Sequence, residues 1–280
     1  MAFFGLAMLL QTALPASSPP PPPPLHGGPQ DMTCPVGGEH FSAWRPTMYS
    51  TYGERPDGKP YSYLPFPFPL PECPTNKLIM FDDYSESEVA ALSRLIEMAD
   101  YKRLVGSETT YYRAYWLATR LGRPQPEALG LLLSAIWQVS PGELTGRGTA
   151  ESAVQFRRYQ QIFINKVRHL KPSIVGKDRV WLEARAANAA RQLGRFDAAE
   201  ELRRRALASL GKVADKGGWN RYLTLLATVI ARRDDSIEPL DMIPQQQIAW
   251  ACASRKPAHA FDRAVCAKLN VSARVPNLGK

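Results

Sequence analysis

The sequence lacks the short motifs that usually assign a chemistry to an unfamiliar chain. None of its four cysteines stands in a Cys-x-x-Cys pair, which argues against thiol–disulfide catalysis. There is no phosphate-binding glycine motif either, because Gly146 and Gly148 lie in a polar stretch without the strand and lysine of a P-loop. No set of residues is spaced for catalysis. The sequence therefore predicts a protein that is not an enzyme and needs no cofactor.

A long apolar segment is also missing. The apolar run over residues 2–10 is much shorter than the roughly 20 residues that span a bilayer. Its length suits the core of a secretory signal, and residues 16–18 supply a cleavage site of small residues, although no Lys or Arg precedes the run. We therefore expect residues 1–18 to be a signal peptide and the protein to be periplasmic or secreted. An uncleaved short anchor is the alternative.

Proline is plentiful in the first part of the chain. Residues 19–24 are six consecutive prolines, and they begin a proline-rich linker that we assign to residues 19–32. Consecutive prolines form an extended polyproline II helix without internal hydrogen bonds. We expect this segment to act as a spacer, and a ligand for an SH3-type domain is the alternative.

Residues 33–81 contain few helix formers and many aromatic and turn residues. The turn residues 56–58, Pro-Asp-Gly, predict a hairpin or a hairpin-like loop. Four tyrosines flank this turn: Tyr49, Tyr52, Tyr61 and Tyr63. They could form a platform that binds sugars or peptides, and we treat them as a candidate binding surface. The alternative, which the sequence favours, is that these rings close a small core against the helices that follow.

A helical pattern begins at Ser85, where Ser85 and Glu88 have the spacing of a capping box. Apolar residues then recur at helical spacing through the rest of the chain. We assign residues 82–243 to a helical domain and residues 244–280 to short C-terminal helices and a tail.

One helix pair in this domain resembles a tetratricopeptide repeat. Small or aromatic residues stand where that repeat needs them at Ala187, Gly194, Phe196, Ala199 and Ala206, although Arg203 replaces the usual aromatic residue of the second helix. The resemblance implies a mainly α fold, a tetratricopeptide-like antiparallel helical array preceded by a small irregular element that contains a β-hairpin. An irregular antiparallel bundle is the alternative.

A second resemblance covers more of the chain. The Cys-Pro knuckles at Cys34 and Cys73, followed by tetratricopeptide-like helices, are similar to an uncharacterised bacterial domain family with a CPxCG zinc-ribbon-like pair of knuckles. Gly37 and Asn76 stand where that family has the second cysteine of each knuckle. The resemblance implies an architecture, here with a degenerate ribbon over residues 33–81, and it implies no activity.

The cysteines are expected to form two disulfides. A ribbon brings its two knuckles together, so Cys34 and Cys73 would lie within disulfide range. Cys252 and Cys266 bracket a short turn between two helices, and an even cysteine count agrees with export. Buried free thiols are one alternative. An open metal site formed by Cys34, Cys73 and His40 is another, but a structural zinc site needs four such ligands, and we predict no metal.

The charge is uneven, because residues 141–280 carry 25 Lys and Arg against 13 Asp and Glu. We include Arg203 and Arg204 in the candidate binding surface. The sequence favours an exported, non-enzymatic protein-interaction or scaffold module of the bacterial cell envelope, whose partner is an unknown protein or an anionic envelope polymer. The alternative is a cytosolic nucleic-acid-binding protein that uses the basic half. Its phosphate contacts would be Arg157, Arg158, Arg203, Arg204 and Arg205.

Overall fold

A computed structural model describes residues 26–141, 149–254 and 259–269. The predicted signal peptide and the six prolines lie outside the described residues. Within them, the chain forms one two-stranded sheet followed by ten α-helices, so the mainly α fold with a small β-hairpin before the helices is confirmed. The elements are β1 (Gly27–Thr33), β2 (His40–Pro46), α1 (Glu86–Leu95), α2 (Ala99–Ser107), α3 (Thr110–Arg120), α4 (Gln125–Val139), α5 (Ala150–Arg168), α6 (Gly176–Gln192), α7 (Phe196–Leu210), α8 (Trp219–Ala231), α9 (Gln245–Ser254) and α10 (Ala260–Lys268).

The two strands pair antiparallel, with Gly27 opposite Pro46 and Thr33 opposite His40. Strand β1 begins within the segment that the sequence assigns to the linker 19–32, so the ordered element starts earlier than expected. The prediction missed this strand because Gly27, Gly28 and Pro29 are residues that strands usually exclude. Gly27 is required here, since a Cβ atom at this position would lie 2.2 Å from the ring of Trp44.

Side-chain caps fix the beginnings of several helices. Ser85 caps α1 in a complete capping box with Glu88, as the sequence predicts. Thr109 accepts a hydrogen bond from the backbone N–H of Tyr112 at the start of α3, and Thr149 does the same for α5. These local signals explain why the helix starts can be read from the sequence.

From α3 to α8, each helix packs mainly against the next helix along the chain. The largest buried cluster runs through α3 to α8 and includes Leu132, Ile136, Phe163 and Leu202. The connection between α6 and α7 is only three residues long, and Gly194 in it adopts φ +72°, a conformation that favours glycine. Within the described ranges, no helix has the length and hydrophobicity needed to cross a bilayer.

Candidate functional site: an aromatic pocket

The two cysteine segments fold into matching turns. In the first turn, the N–H of Gly38 donates to the carbonyl of Cys34, and in the second the N–H of Lys77 donates to the carbonyl of Cys73. Gly38 and Lys77 both have positive φ angles, +69° and +60°. The backbone N–H of each cysteine is also hydrogen-bonded, in equivalent positions, to the carbonyl five residues later. The local similarity between the two sequence segments is therefore a similarity of backbone geometry.

Asn76 connects the two turns at the positions where a ribbon would have its second cysteines. Its amide nitrogen donates to the carbonyl of Val36 at 2.8 Å, and its side-chain oxygen accepts the N–H of Leu78 at 3.0 Å. Gly37 lies beside it, because a Cβ built on Gly37 would be 3.9 Å from the Asn76 amide nitrogen. The side-chain amide of Asn76 thus lies between the two turns, where a zinc ribbon would have its second cysteines.

The cysteines pair as the sequence predicts. The sulfur atoms of Cys34 and Cys73 lie at disulfide distance, with Cα atoms 5.8 Å apart, and those of Cys252 and Cys266 do so with Cα atoms 5.3 Å apart. The first pair is completely buried beneath the two turns. The second pair joins α9 to α10. In this arrangement, neither Cys34 nor Cys73 offers a thiolate to a metal ion.

His40, the third ligand of the alternative metal site, faces a different partner. Its Nδ1 atom lies 3.0 Å from the hydroxyl of Thr33, across the β1–β2 pair. In the part of the chain that the structure describes, no group of three or more His, Cys, Asp or Glu side chains is placed to hold a metal ion.

The predicted reversal at residues 56–58 is present as a short hairpin. Across it, the N–H of Tyr52 donates to the carbonyl of Tyr61, and the N–H of Tyr61 donates to the carbonyl of Gly53. The N–H of Arg55 donates to the carbonyl of Lys59. We call residues 52–61 the tyrosine hairpin. The rings of Tyr52 and Tyr61 are almost parallel, with an interplanar angle of 16° and centroids 6.3 Å apart.

Three helices hold the tyrosine hairpin from below. The guanidinium of Arg185 on α6 donates to the carbonyl of Pro56 and forms an ion pair with Glu54, each at 2.7 Å. The hydroxyl of Tyr222 on α8 donates to the same carbonyl, and the indole N–H of Trp137 on α4 donates to the carbonyl of Asp57. The hairpin therefore has a fixed position on the helical array.

Above this support lies a cavity of about 440 Å³, which we call the aromatic pocket. Its walls come from the tyrosine hairpin, from the proline-rich segment that follows it, and from α9. The lining residues are Tyr52, Arg55, Lys59, Pro60, Tyr61, Ser62, Tyr63, Leu64, Pro65, Phe66, Glu238, Gln247 and Trp250. Tyr52, Tyr63 and Trp250 are large aromatic side chains that stay between 38% and 49% exposed. Exposed rings that surround a cavity provide apolar area that a ligand can bury.

The charged lining residues Arg55, Lys59 and Glu238, which we call the pocket floor, combine charges of both signs. Arg55 and Asp57 are buried and paired, and Arg55 also donates to the hydroxyl of Ser140. Burial alone would raise the pKa of the Asp57 carboxyl, but the charge and hydrogen bonds of Arg55 hold that pKa below its usual range. The hydroxyl of Tyr61 donates to the Glu238 carboxylate at 2.9 Å, and burial raises the pKa of Glu238.

Lys59 is the second basic group at the floor of the pocket, and its pKa is lowered. Burial, followed by the positive charge of Arg55, lowers the pKa of its ammonium to about 8, against the smaller opposing effects of Asp57 and Glu238. Its Nζ atom donates to the carbonyl of Trp137 at 3.2 Å. The ammonium therefore loses much of its charge just above neutral pH.

The structure brings three of the four predicted tyrosines to the pocket. The exception is Tyr49, whose ring packs edge-on against Phe66 and Phe68, with centroids 5.5 and 4.8 Å away. Tyr49 stays 46% exposed, so it neither lines the pocket nor closes a buried core against the helices.

The predicted basic residues do not line the pocket. Arg203 and Arg204 lie on α7, and both pair with Glu200. Of the other basic residues named for phosphate binding, Arg205 pairs with Glu183, and Arg158 pairs with Glu108. Arg157 is exposed beside Arg195 in a separate surface depression. Four of the five arginines named for phosphate binding are thus paired with carboxylates.

Several pocket residues carry no signal in the sequence. Glu238, Gln247 and Trp250 lie far along the chain from the tyrosine hairpin, and no local pattern connects them to it. Comparison with known proteins yields no match: no protein-family model, no curated protein and no solved structure matches the chain.

Proposed function

We propose that the protein is an exported, non-enzymatic protein-interaction or scaffold module of the bacterial cell envelope, and that it contacts its partner through the aromatic pocket. The observation that carries this proposal is the pocket itself, where exposed rings of Tyr52, Tyr63 and Trp250 surround a cavity with a fixed polar floor. Tyrosine and tryptophan are the residues most often found at the energetic centres of protein interfaces.

The charge of the pocket favours a polypeptide over an anionic polymer. The positive charges of Arg55 and Lys59 are matched by the carboxylates of Asp57 and Glu238 in or beneath the same floor. A site for an anionic chain needs a surplus of positive charge. A balanced floor beneath apolar rings suits an extended segment with few charges.

The proposed location is supported by the cysteines. Both pairs lie at disulfide distance, and structural disulfides persist in oxidising compartments outside the cytosol. The paired state of Arg203 and Arg204 makes the nucleic-acid alternative less favourable, because each arginine would have to exchange Glu200 for a phosphate.

We also propose that the helical array is tetratricopeptide-like. Ala187, Ala199 and Ala206 are completely buried, and α6 and α7 are the helices in most extensive contact with each other. Small buried side chains let two helices approach closely, which is what the resemblance requires of these positions. In this proposal the array is a rigid support for the pocket.

Affinity capture from an extracytoplasmic extract tests the proposed function. The bait proteins are the wild type, a pocket variant with Tyr52→Ala and Trp250→Ala, and a basic-face variant with Arg203→Ala and Arg204→Ala. We expect a partner that the wild type and the basic-face variant retain and that the pocket variant loses. A partner lost only by the basic-face variant, or no partner retained by any of the three, would overturn the proposal.

A further inference from the structure

The aromatic pocket has the surface properties that recognise a polyproline II helix. Grooves that bind such helices are lined by aromatic rings, against which the proline rings pack. The pocket offers Tyr52, Tyr61, Tyr63, Phe66 and Trp250 for this contact. The site is open to solvent along its exposed rings, as a groove for an extended chain has to be.

Hydrogen bonding fits the same ligand. Proline has no backbone N–H, so a run of prolines presents carbonyl oxygens that only accept hydrogen bonds. The hydroxyl of Tyr52 and the side-chain amide of Gln247 line the pocket and have no side-chain hydrogen-bond partner among the described residues. Both are donors available to such carbonyls.

The chain enters the described part of the structure at the pocket wall. His26 is the first described residue, and its ring lies 4.5 Å, centroid to centroid, from the ring of Tyr63. The Nδ1 atom of His26 is also 3.1 Å from the Tyr63 hydroxyl. Tyr63 is itself a lining residue of the pocket. The segment before His26 therefore starts beside the site.

The residues immediately before this point are the six prolines, 19–24, with only Leu25 between them and His26. In the polyproline II conformation, six residues extend about 19 Å. A segment tethered so close to a site has an effective concentration in the millimolar range, which favours occupancy even when the contact is weak.

We propose that residues 19–24 dock in the aromatic pocket of the same chain as an intramolecular polyproline ligand. The segment then covers the surface that the proposed function assigns to a partner. A partner has to displace it, so its apparent affinity is reduced by the fraction of protein in which the pocket is occupied. This inference uses the pocket of the proposed function and adds its ligand class and its regulation.

Fluorescence anisotropy with a labelled peptide, Pro-Pro-Pro-Pro-Pro-Pro-Leu-His-Gly-Gly, tests the inference. The proteins are the full chain, the full chain with all six prolines 19–24 replaced by serine, and the serine variant with Tyr52→Ala and Trp250→Ala added. A fourth protein adds Leu207→Ala to the serine variant as a control, because Leu207 is an exposed apolar residue on α7 outside the pocket lining. Circular dichroism and thermal unfolding establish that all four are folded.

We expect the serine variant and its Leu207→Ala control to bind the peptide about tenfold more tightly than the full chain, because the tethered competitor is gone. The serine variant without Tyr52 and Trp250 is expected to bind the peptide at least tenfold more weakly than the serine variant. Equal affinity of the full chain and the serine variant would overturn intramolecular docking, and so would absence of binding to both. Failure of the proposed function has a separate readout, since the serine variant would then capture no partner from the extract.

Discussion

At the scale of single residues, Asn76 shows how a lost cysteine position can keep a structural role. Its amide nitrogen donates to the carbonyl of Val36 and so connects the Cys73 turn to the Cys34 turn, while its side-chain oxygen accepts the N–H of Leu78 within its own segment. A sequence comparison of the two segments identifies Asn76 as a departure from a knuckle. It does not reveal the replacement contact, because that contact joins residues 40 positions apart.

We predict that Asn76→Ala lowers the free energy of unfolding by about 1–2 kcal/mol, because both hydrogen bonds are lost and two partly buried backbone groups lose their partners. Thr75→Ala is the matched control, because Thr75 lies next to Asn76 in the same turn and its hydroxyl makes an exposed hydrogen bond to Glu39. Its expected effect is under about 1 kcal/mol. Urea denaturation measures both, and equal losses would contradict the role given to Asn76.

Lys59 gives a prediction on pH dependence. Its pKa is about 8 in the folded protein, and that of an unfolded lysine is about 10.4. Between these values the unfolded chain binds more protons than the folded chain, so the free energy of unfolding rises as the pH increases from 8 to 10. The contribution is up to about 2 kcal/mol, reduced by solvent screening.

Denaturation of Lys59→Met at pH 7.5, 8.5 and 9.5 checks this prediction. At pH 7.5 the wild type must bury a charged ammonium, so the free energy of unfolding of the variant should exceed that of the wild type by the largest amount. This excess should shrink as the pH rises, because the wild type gains stability when Lys59 loses its proton. Other titrating groups are shared by both proteins and cancel in the comparison. A difference that stays constant across the three pH values would contradict the lowered pKa of Lys59.

At the scale of elements, the pocket depends on two parts of the chain that are held in different ways. The tyrosine hairpin is fixed by Arg185, Trp137 and Tyr222 from three helices. Helix α9, which carries Trp250, is short and has one completely enclosed apolar side chain, Ala251. Its covalent connection to α10 through Cys252 and Cys266 therefore constrains one wall of the pocket, together with a small apolar cluster around Leu240 and Ile243.

We predict that Cys252→Ala with Cys266→Ala increases amide hydrogen exchange in α9 and α10 while exchange in α6 stays unchanged. The matched variant, Cys34→Ala with Cys73→Ala, removes the other disulfide. That disulfide closes a loop between residues 39 positions apart, whereas Cys252 and Cys266 are 14 positions apart. Loop entropy gives a loss of about 4 kcal/mol in the free energy of unfolding for this pair and about 3 kcal/mol for the shorter closure. Exchange should increase throughout the chain only in the Cys34 and Cys73 variant, because this pair lies in the buried cluster that includes residues of α1, α2 and α3. Global exchange in both variants would contradict the local role of the second pair.

At the scale of the whole molecule, the sequence predicts the helical array better than it predicts the pocket. Ser85, Thr109 and Gly194 are local signals whose effect depends on residues within one turn, so they identify helix boundaries without knowledge of the tertiary structure. The tyrosine hairpin is likewise encoded by adjacent turn residues. The cysteine pairs follow from spacing and even count, and they lie at disulfide distance as predicted.

The pocket could be predicted only in part, because its walls are brought together by tertiary packing. Tyr52, Tyr61 and Tyr63 stand out in the sequence, whereas Glu238 and Trp250 belong to segments that show only short helices and turns. The charge count also does not show which arginines are paired. Arg203 and Arg204 look available in the sequence, but each has Glu200 three or four residues away on the same helix.

Site-specific photo-crosslinking tests most directly whether the aromatic pocket is the interaction site. The chain with serines at residues 19–24 would carry benzoylphenylalanine in place of Tyr52, or in place of Leu207 on α7 as the control, and would be irradiated in an extracytoplasmic extract. We predict a discrete protein adduct from the Tyr52 position that excess polyproline peptide abolishes, and none from the Leu207 position. No adduct at Tyr52, or the same adducts at both positions, would contradict an interaction through the pocket.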